Sequence, residues 1–162
     1  DDLCVTAMML TMSTEAGVGM PGALERLLTT QMPDGGWNCE PGERHSSMHT
    51  TLSVLESLAP FENRPEVASA AGAGREFLLR HRLYRSHQTG EVIRASFTRF
   101  SFPCYWFYDV LRALDYWRGH PWDDRLAEDR PVLQASGPAA RQRLGGIGVS
   151  QPAMSAGFTP FT

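Results

Sequence analysis

Side chains suited to ligand or nucleophile chemistry gather near the start of the chain: Asp2, Cys4, Cys39, His45 and His49. Carboxylate, thiolate and imidazole are the groups that hold transition metals. Each residue also has an ordinary use. Asp2 suits a helix N-cap, Cys4 a small core position, and His49 a hydrogen bond at a helix start. The Cys39–His45 interval is not a standard zinc spacing, and a loop thiol is the simpler reading of Cys39. A second concentration is aromatic, Tyr105-Trp106-Phe107-Tyr108, followed at once by Asp109. Ring faces attract cations and line apolar pockets, and they also serve plain helix packing. Asp109 can orient a ligand or pair with Arg112.

The composition narrows the chemistry. The chain has 162 residues, 42% of them hydrophobic, and a formal net charge of -3. That is the size of a single domain with a core. With no basic block, nucleic-acid binding is a poor expectation. All 15 basic residues are arginine, so a lysine Schiff base is excluded. The three cysteines Cys4, Cys39 and Cys104 are odd in number and widely spaced. They read as reduced thiols in a cytoplasmic protein rather than as a disulfide framework. No apolar run has the length of a membrane span, and no secretory signal is visible. The start on Asp1, without Met, reads as that of a fragment.

The elements that must position these groups read as helices. Residues 3–12 are apolar nearly all round, which predicts a helix buried on every side. Pro21 is expected at the first position of a second helix over residues 23–31, with Leu24, Leu27 and Leu28 as its stripe. Pro33 and the Gly35-Gly36 pair stop it. Ser46 or Ser47 caps a third, mostly apolar helix that ends at Pro60. Pro65 opens a fourth, amphipathic helix to about residue 84. After a long connection, residues 104–118 form a fifth, aromatic-rich helix, and Asp123 caps a short sixth to about residue 135. Buried helices starting near residues 3, 47 and 104 are separated by roughly 44 and 57 residues, the long period of a helical-hairpin repeat. An irregular helical bundle fits the same periodicity. Residues 136–162, rich in Gly, Pro, Ala and Ser, are expected to be coil or disordered.

Gln31-Met32-Pro33-Asp34-Gly35-Gly36-Trp37, with Leu27 before it, resembles the tail of the glutamine–tryptophan repeat of squalene–hopene cyclases. Arg26 and Leu27 stand where that repeat carries an aromatic. Residues 47–58, beginning Ser47-Met48-His49-Thr50-Thr51, resemble the helix after the Gly-Gly turn of protein prenyltransferase beta subunits. Cys4-Val5-Thr6, residues 31–40, residues 76–83, Thr89-Gly90-Glu91-Val92 and Tyr108-Asp109-Val110-Leu111-Arg112 extend the likeness to uncharacterised bacterial toroid proteins. The chain thus resembles the terpenoid-cyclase and protein prenyltransferase α/α-toroid superfamily over residues 3–130.

The resemblance implies an all-α fold, a partial α/α toroid of helical-hairpin repeats over residues 1–135. It implies a Zn²⁺ held by Asp2, Cys4 and His49, although Val5 stands where the family places an aromatic. It also implies an isoprenoid or isoprenoid diphosphate site lined by Tyr105, Trp106, Tyr108 and Asp109. Arg85, His87, Arg94 and Arg99 either add positive charge for a diphosphate or are solvated surface residues. The Asp-x-Asp-Asp acid of squalene-type cyclases is absent, since neither Asp1-Asp2-Leu3-Cys4 nor Asp123-Asp124 matches it. Half a toroid leaves apolar edges, which a second copy or a further segment would cover. The other function left open is a non-catalytic lipid-binding or scaffolding module without metal.

Overall fold

Asp2 starts the first helix as the sequence predicts. Its carboxylate accepts from the backbone N–H groups of Cys4 (3.0 Å) and Val5 (3.5 Å), satisfying donors that have no partner within the helix. The computed structural model describes residues 2–99, 106–121 and 123–129. The expected site residue Tyr105, the boundary at residue 135 and the tail 136–162 lie outside them. Among the described residues the protein is all-α, with five α-helices and no strand: α1 (Leu3–Glu15), α2 (Ala23–Thr29), α3 (Met48–Leu58), α4 (Pro65–Arg80) and α5 (Val110–Trp117). None is long and apolar enough to cross a membrane.

α3 is the central helix, buried on nearly every side through Met48, Thr50, Thr51, Leu52, Val54, Leu55, Ser57 and Leu58. α1 packs on one side of it and α4 on another, while α2 touches both α1 and α4. Expectations for the neighbouring helices need correction. α1 buries only Leu3, Cys4, Ala7 and Leu10, leaving Val5, Met8, Met9 and Met12 exposed. Its apolar composition made burial on all sides possible, but the described residues put neighbours on one face only. Pro21 is not the first residue of α2. Gly22, at φ 78°, is the N-cap and turns the chain in a conformation that favours glycine.

α2 also ends earlier than expected, at Thr29. The Thr30 hydroxyl donates back to the Arg26 carbonyl at 2.7 Å. Gln31 is thereby freed from the helix, and its amide bridges two carbonyls, Gly35 O at 2.7 Å and Ala70 O on α4 at 2.9 Å. Trp37 is fully buried between the helices. Its indole N–H donates to Leu27 O of α2 at 2.6 Å, and its backbone N–H donates to Thr51 Oγ1 of α3 at 3.0 Å. α4 meets the ring at Gly74, where an added Cβ would lie 2.8 Å from Trp37 Cζ3 and 3.0 Å from Leu55 Cδ2. Helix propensity alone would favour Gly74→Ala by about 1 kcal/mol, but overpacking between two buried side chains costs about 1–3 kcal/mol. We expect a net loss of about 1 kcal/mol in chemical denaturation; a stabilised variant would show that the indole has room to move.

The fifth helix begins six residues later than the sequence suggests, because Asp109 caps it. Asp109 has extended backbone, and its Oδ1 accepts from Arg112 N at 2.8 Å. The aromatics Trp106, Phe107 and Tyr108 therefore precede the helix instead of forming its first turns. Arg112 ties α5 to α3, with Nε 3.1 Å from Glu56 Oε1 and Nη2 on the other carboxylate oxygen. Arg75 of α4 reaches Glu62 at 2.8 Å and Tyr116 of α5 at 3.1 Å. Asp123 caps as expected, accepting from Arg125 N at 2.9 Å, but the element is the 3₁₀ helix Asp124–Asp129.

Candidate metal and ligand site

The starts of α1, α3 and α5 and the end of α4 border one cavity of about 950 Å³. Asp2 and Cys4 enter it from α1, Met48 and His49 from α3, and Tyr108 and Asp109 from the approach to α5. The two groups of residues singled out by type, far apart in sequence, thus share one cavity.

On one wall the donor atoms of Asp2, Cys4 and Cys39 all lie within 4.8 Å of one another. Cys39 stands on the loop between α2 and α3, two residues beyond the anchored Trp37. Its sulfur pairs with that of Cys4 at disulfide distance, with the Cα atoms 6.5 Å apart, inside the range a disulfide spans. This corrects the reading of Cys39 as an isolated loop thiol and of the cysteines as unpaired. Thr50 Oγ1 lies 3.3 Å from each sulfur, and the Cys4 N–H points at Cys39 Sγ from 3.1 Å.

His49 borders the same cavity, and its Nε2 is buried without a hydrogen-bond partner. Its ring nitrogens lie outside the 4.8 Å cluster of Asp2, Cys4 and Cys39, so the described residues do not bring Asp2, Cys4 and His49 together within that distance, although imidazole, thiolate and carboxylate are all donor types that zinc takes. Asp2, Cys4 and Cys39 therefore fit a zinc ion when the cysteines are reduced, with His49 farther off on the same cavity. In the disulfide state neither sulfur is a thiolate ligand.

The same cavity is also lined by aromatic rings. The Trp106 ring sits 5.5 Å from His49, centroid to centroid, and is partly exposed. Tyr108 is buried, edge-on to Phe97 at 4.7 Å. Its hydroxyl donates to Leu83 O at 2.5 Å, and burial pushes the phenol well above its ordinary value. That bond pins a turn in which Arg82 (φ 46°) and Leu83 (φ 64°) adopt left-handed backbone, uncommon for such residues. Tyr108 thus offers the cavity a ring rather than a free hydroxyl, and one Asp109 oxygen is engaged in capping α5. Arg94 and Arg99 border the cavity; Arg85 and His87 do not. Sequence reasoning missed Phe97 and His81 as cavity residues and set Cys39 aside as a loop thiol.

Burial holds both His49 and His81 below the ordinary histidine value of 6.5, and the charge of Arg112 adds to the effect at His49. His81 Nδ1 lies 2.8 Å from Phe77 O and its Nε2 lies 2.9 Å from His87 Nδ1. A neutral His81 donates to the carbonyl and accepts from His87. The unfolded chain takes up protons on these rings at a pH where the folded chain does not. Their contribution to stability is complete above about pH 6.5 and is lost as the pH falls toward the folded pKa values. Urea midpoints should drop between about pH 7.5 and pH 5.5, and a His49→Gln/His81→Gln variant should show a flatter profile. Equal slopes for the two proteins would assign the decline to other groups.

No family model, curated protein or solved structure matches this chain. The geometry of the cavity is therefore the basis for a functional reading.

Proposed function

We propose that the chain is a segment of an α/α toroid of the prenyltransferase and squalene-cyclase type. In this reading it binds an isoprenoid or its diphosphate in the shared cavity, with zinc held by Asp2, Cys4 and His49. The observation that carries the reading is the convergence of three helix starts on one cavity lined both by metal-donor side chains and by aromatic rings. Bound zinc would supply Lewis acidity and stabilise a thiolate at neutral pH, the chemistry of thiol alkylation. The chain's own part is to position. Trp106, Phe97 and the ring of Tyr108 give an apolar wall for a prenyl chain, and Arg94 and Arg99 bring positive charge to the same cavity for a diphosphate. The missing Asp-x-Asp-Asp acid weighs against squalene-type cyclisation.

Elemental analysis of protein purified under reductant should find about one zinc per chain, lost in His49→Ala. Incubation with a prenyl diphosphate, followed by product analysis, then reads transfer. Reduced, metal-free protein that refuses added zinc would sink the zinc reading.

A second reading, a lipid-binding or scaffolding module without metal, is favoured by the Cys4–Cys39 pairing and by the engaged polar groups of Tyr108 and Asp109. It predicts binding of an uncharged isoprenoid at undiminished affinity in His49→Ala and no product. In either reading, the exposed apolar face of α1 is the edge that a second copy or a further segment of the toroid would cover, and the chain works in the cytoplasm.

A further inference from the structure

We infer that Cys4 and Cys39 form a thiol–disulfide switch on this site: the dithiol holds the metal through both sulfurs, and the disulfide excludes it. The inference rests on the zinc reading above and adds Cys39 to its ligands, together with the means of control.

The two sulfurs are neighbours by construction. Cys4 is the second residue of α1, fixed by the Asp2 cap, and Cys39 follows a loop held by the buried Trp37. Their Cα atoms, 6.5 Å apart, permit a disulfide without backbone movement. The same placement puts both sulfurs within 4.8 Å of the Asp2 carboxylate, so two thiolates and a carboxylate converge in the reduced state. The unpartnered Nε2 of His49 borders the same cavity. Two thiolates and a carboxylate supply three of the four ligands of a tetrahedral zinc site and leave the fourth position open. One pair of atoms therefore serves two exclusive states, because a sulfur in a disulfide has lost the anionic lone pair that binds metal.

Access sets the order of events. Cys4 is buried, whereas Cys39 is only partly so, so a small disulfide reaches Cys39 first. The Cys39 thiolate attacks one sulfur of the reagent and expels the first small thiolate. The Cys4 thiolate then attacks Cys39 Sγ in the mixed disulfide and expels the second. The protein loses two electrons, the reagent gains them as two thiols after protonation by solvent, and the metal leaves as the unchanged divalent ion.

The test uses the whole chain, reduced with a phosphine and titrated with Co²⁺, whose sulfur charge-transfer band counts thiolate ligands. Wild type should show two thiolates, and Cys39→Ser one, with affinity lower by about tenfold or more. Excess oxidised glutathione should release the metal from wild type and join Cys4 to Cys39 in one crosslinked peptide pair lighter by two hydrogens, with no glutathione adduct on either cysteine. Reductant should restore binding. The oxidation experiment needs no variant, so a poorly folded Cys39→Ser does not stall it. Wild type that keeps its metal and its thiols through oxidation overturns the switch, as does a reduced wild type matching Cys39→Ser in band and affinity; both leave the zinc reading standing. Reduced wild type that binds no Co²⁺ overturns the zinc reading, and the switch falls with it.

Discussion

Trp37→Ala should destabilise the fold by about 3–5 kcal/mol, the range for removing a large buried aromatic. The indole is fully buried and touches three helices: Leu27 O of α2 through its N–H, Thr51 of α3 through its backbone, and Gly74 of α4 through its ring edge. The bond to Leu27 O satisfies a carbonyl near the end of α2 that the helix itself leaves open. Two effects are therefore lost together, and Trp37→Phe separates them. Phe keeps most of the ring but leaves the carbonyl only the longer contact from the Thr30 hydroxyl at 3.3 Å, a cost toward the low end of about 1–3 kcal/mol. If packing dominates, the Phe variant retains most of the stability that the Ala variant loses. Equal losses in the two would make the N–H, not the ring, the staple. Because Cys39 lies just beyond Trp37, the Ala variant should also lose the Cys4–Cys39 crosslink, read as a rise in reactive thiols under oxidising conditions.

Arg112→Met should cost about 2 kcal/mol, less than the 3–5 kcal/mol of breaking a fully buried ion pair, because water still reaches Glu56. The Arg112 side chain is 16% exposed and that of Glu56 33%. The guanidinium also reaches Ser53 Oγ at 3.3 Å and Trp106 O at 3.2 Å. Removing it unties the aromatic wall from α3, so affinity for a fluorescent prenyl diphosphate analogue should fall along with stability. The charge of Arg112 helps to hold His49 below its ordinary pKa, so the histidine's NMR titration should move up in the variant. A Glu56→Gln/Arg112→Met double variant should recover part of the loss. A single variant as stable as wild type would show the pair to be a surface decoration.

The local signals were legible wherever one residue decided the geometry. Asp2 and Ser47 cap their helices, Pro65 opens α4, and the Pro-Asp-Gly-Gly stretch breaks the chain before Trp37. The failures share a cause. α2 was expected to open on Pro21 from proline's preference for a first helical position, and α5 at residue 104 from its aromatic-rich run, but Gly22 and the Asp109 carboxylate set the true starts. α1 was read from composition, which reports what a surface can bury and not what lies beside it. In the site, Asp2, Cys4 and His49 came from the family resemblance and Trp106, Tyr108 and Asp109 from the aromatic run, and all border one cavity. Cys39 was not assigned to it, because the pairing depends on how the α2–α3 loop folds back onto α1, a long-range fact that no local spacing encodes.

The bare side of α1 makes the molecule its own witness. Met8, Met9 and Met12 are 41%, 49% and 60% exposed, while Met48 on α3 is 5% exposed. Thioethers oxidise where peroxide can reach them. Brief peroxide treatment of the isolated chain should therefore mark the first three and spare the fourth, as peptide masses would record. Should the three resist as well as Met48 does, α1 is covered in solution. The same peptides then time-stamp assembly, since each sulfoxide dates from before its contact closed.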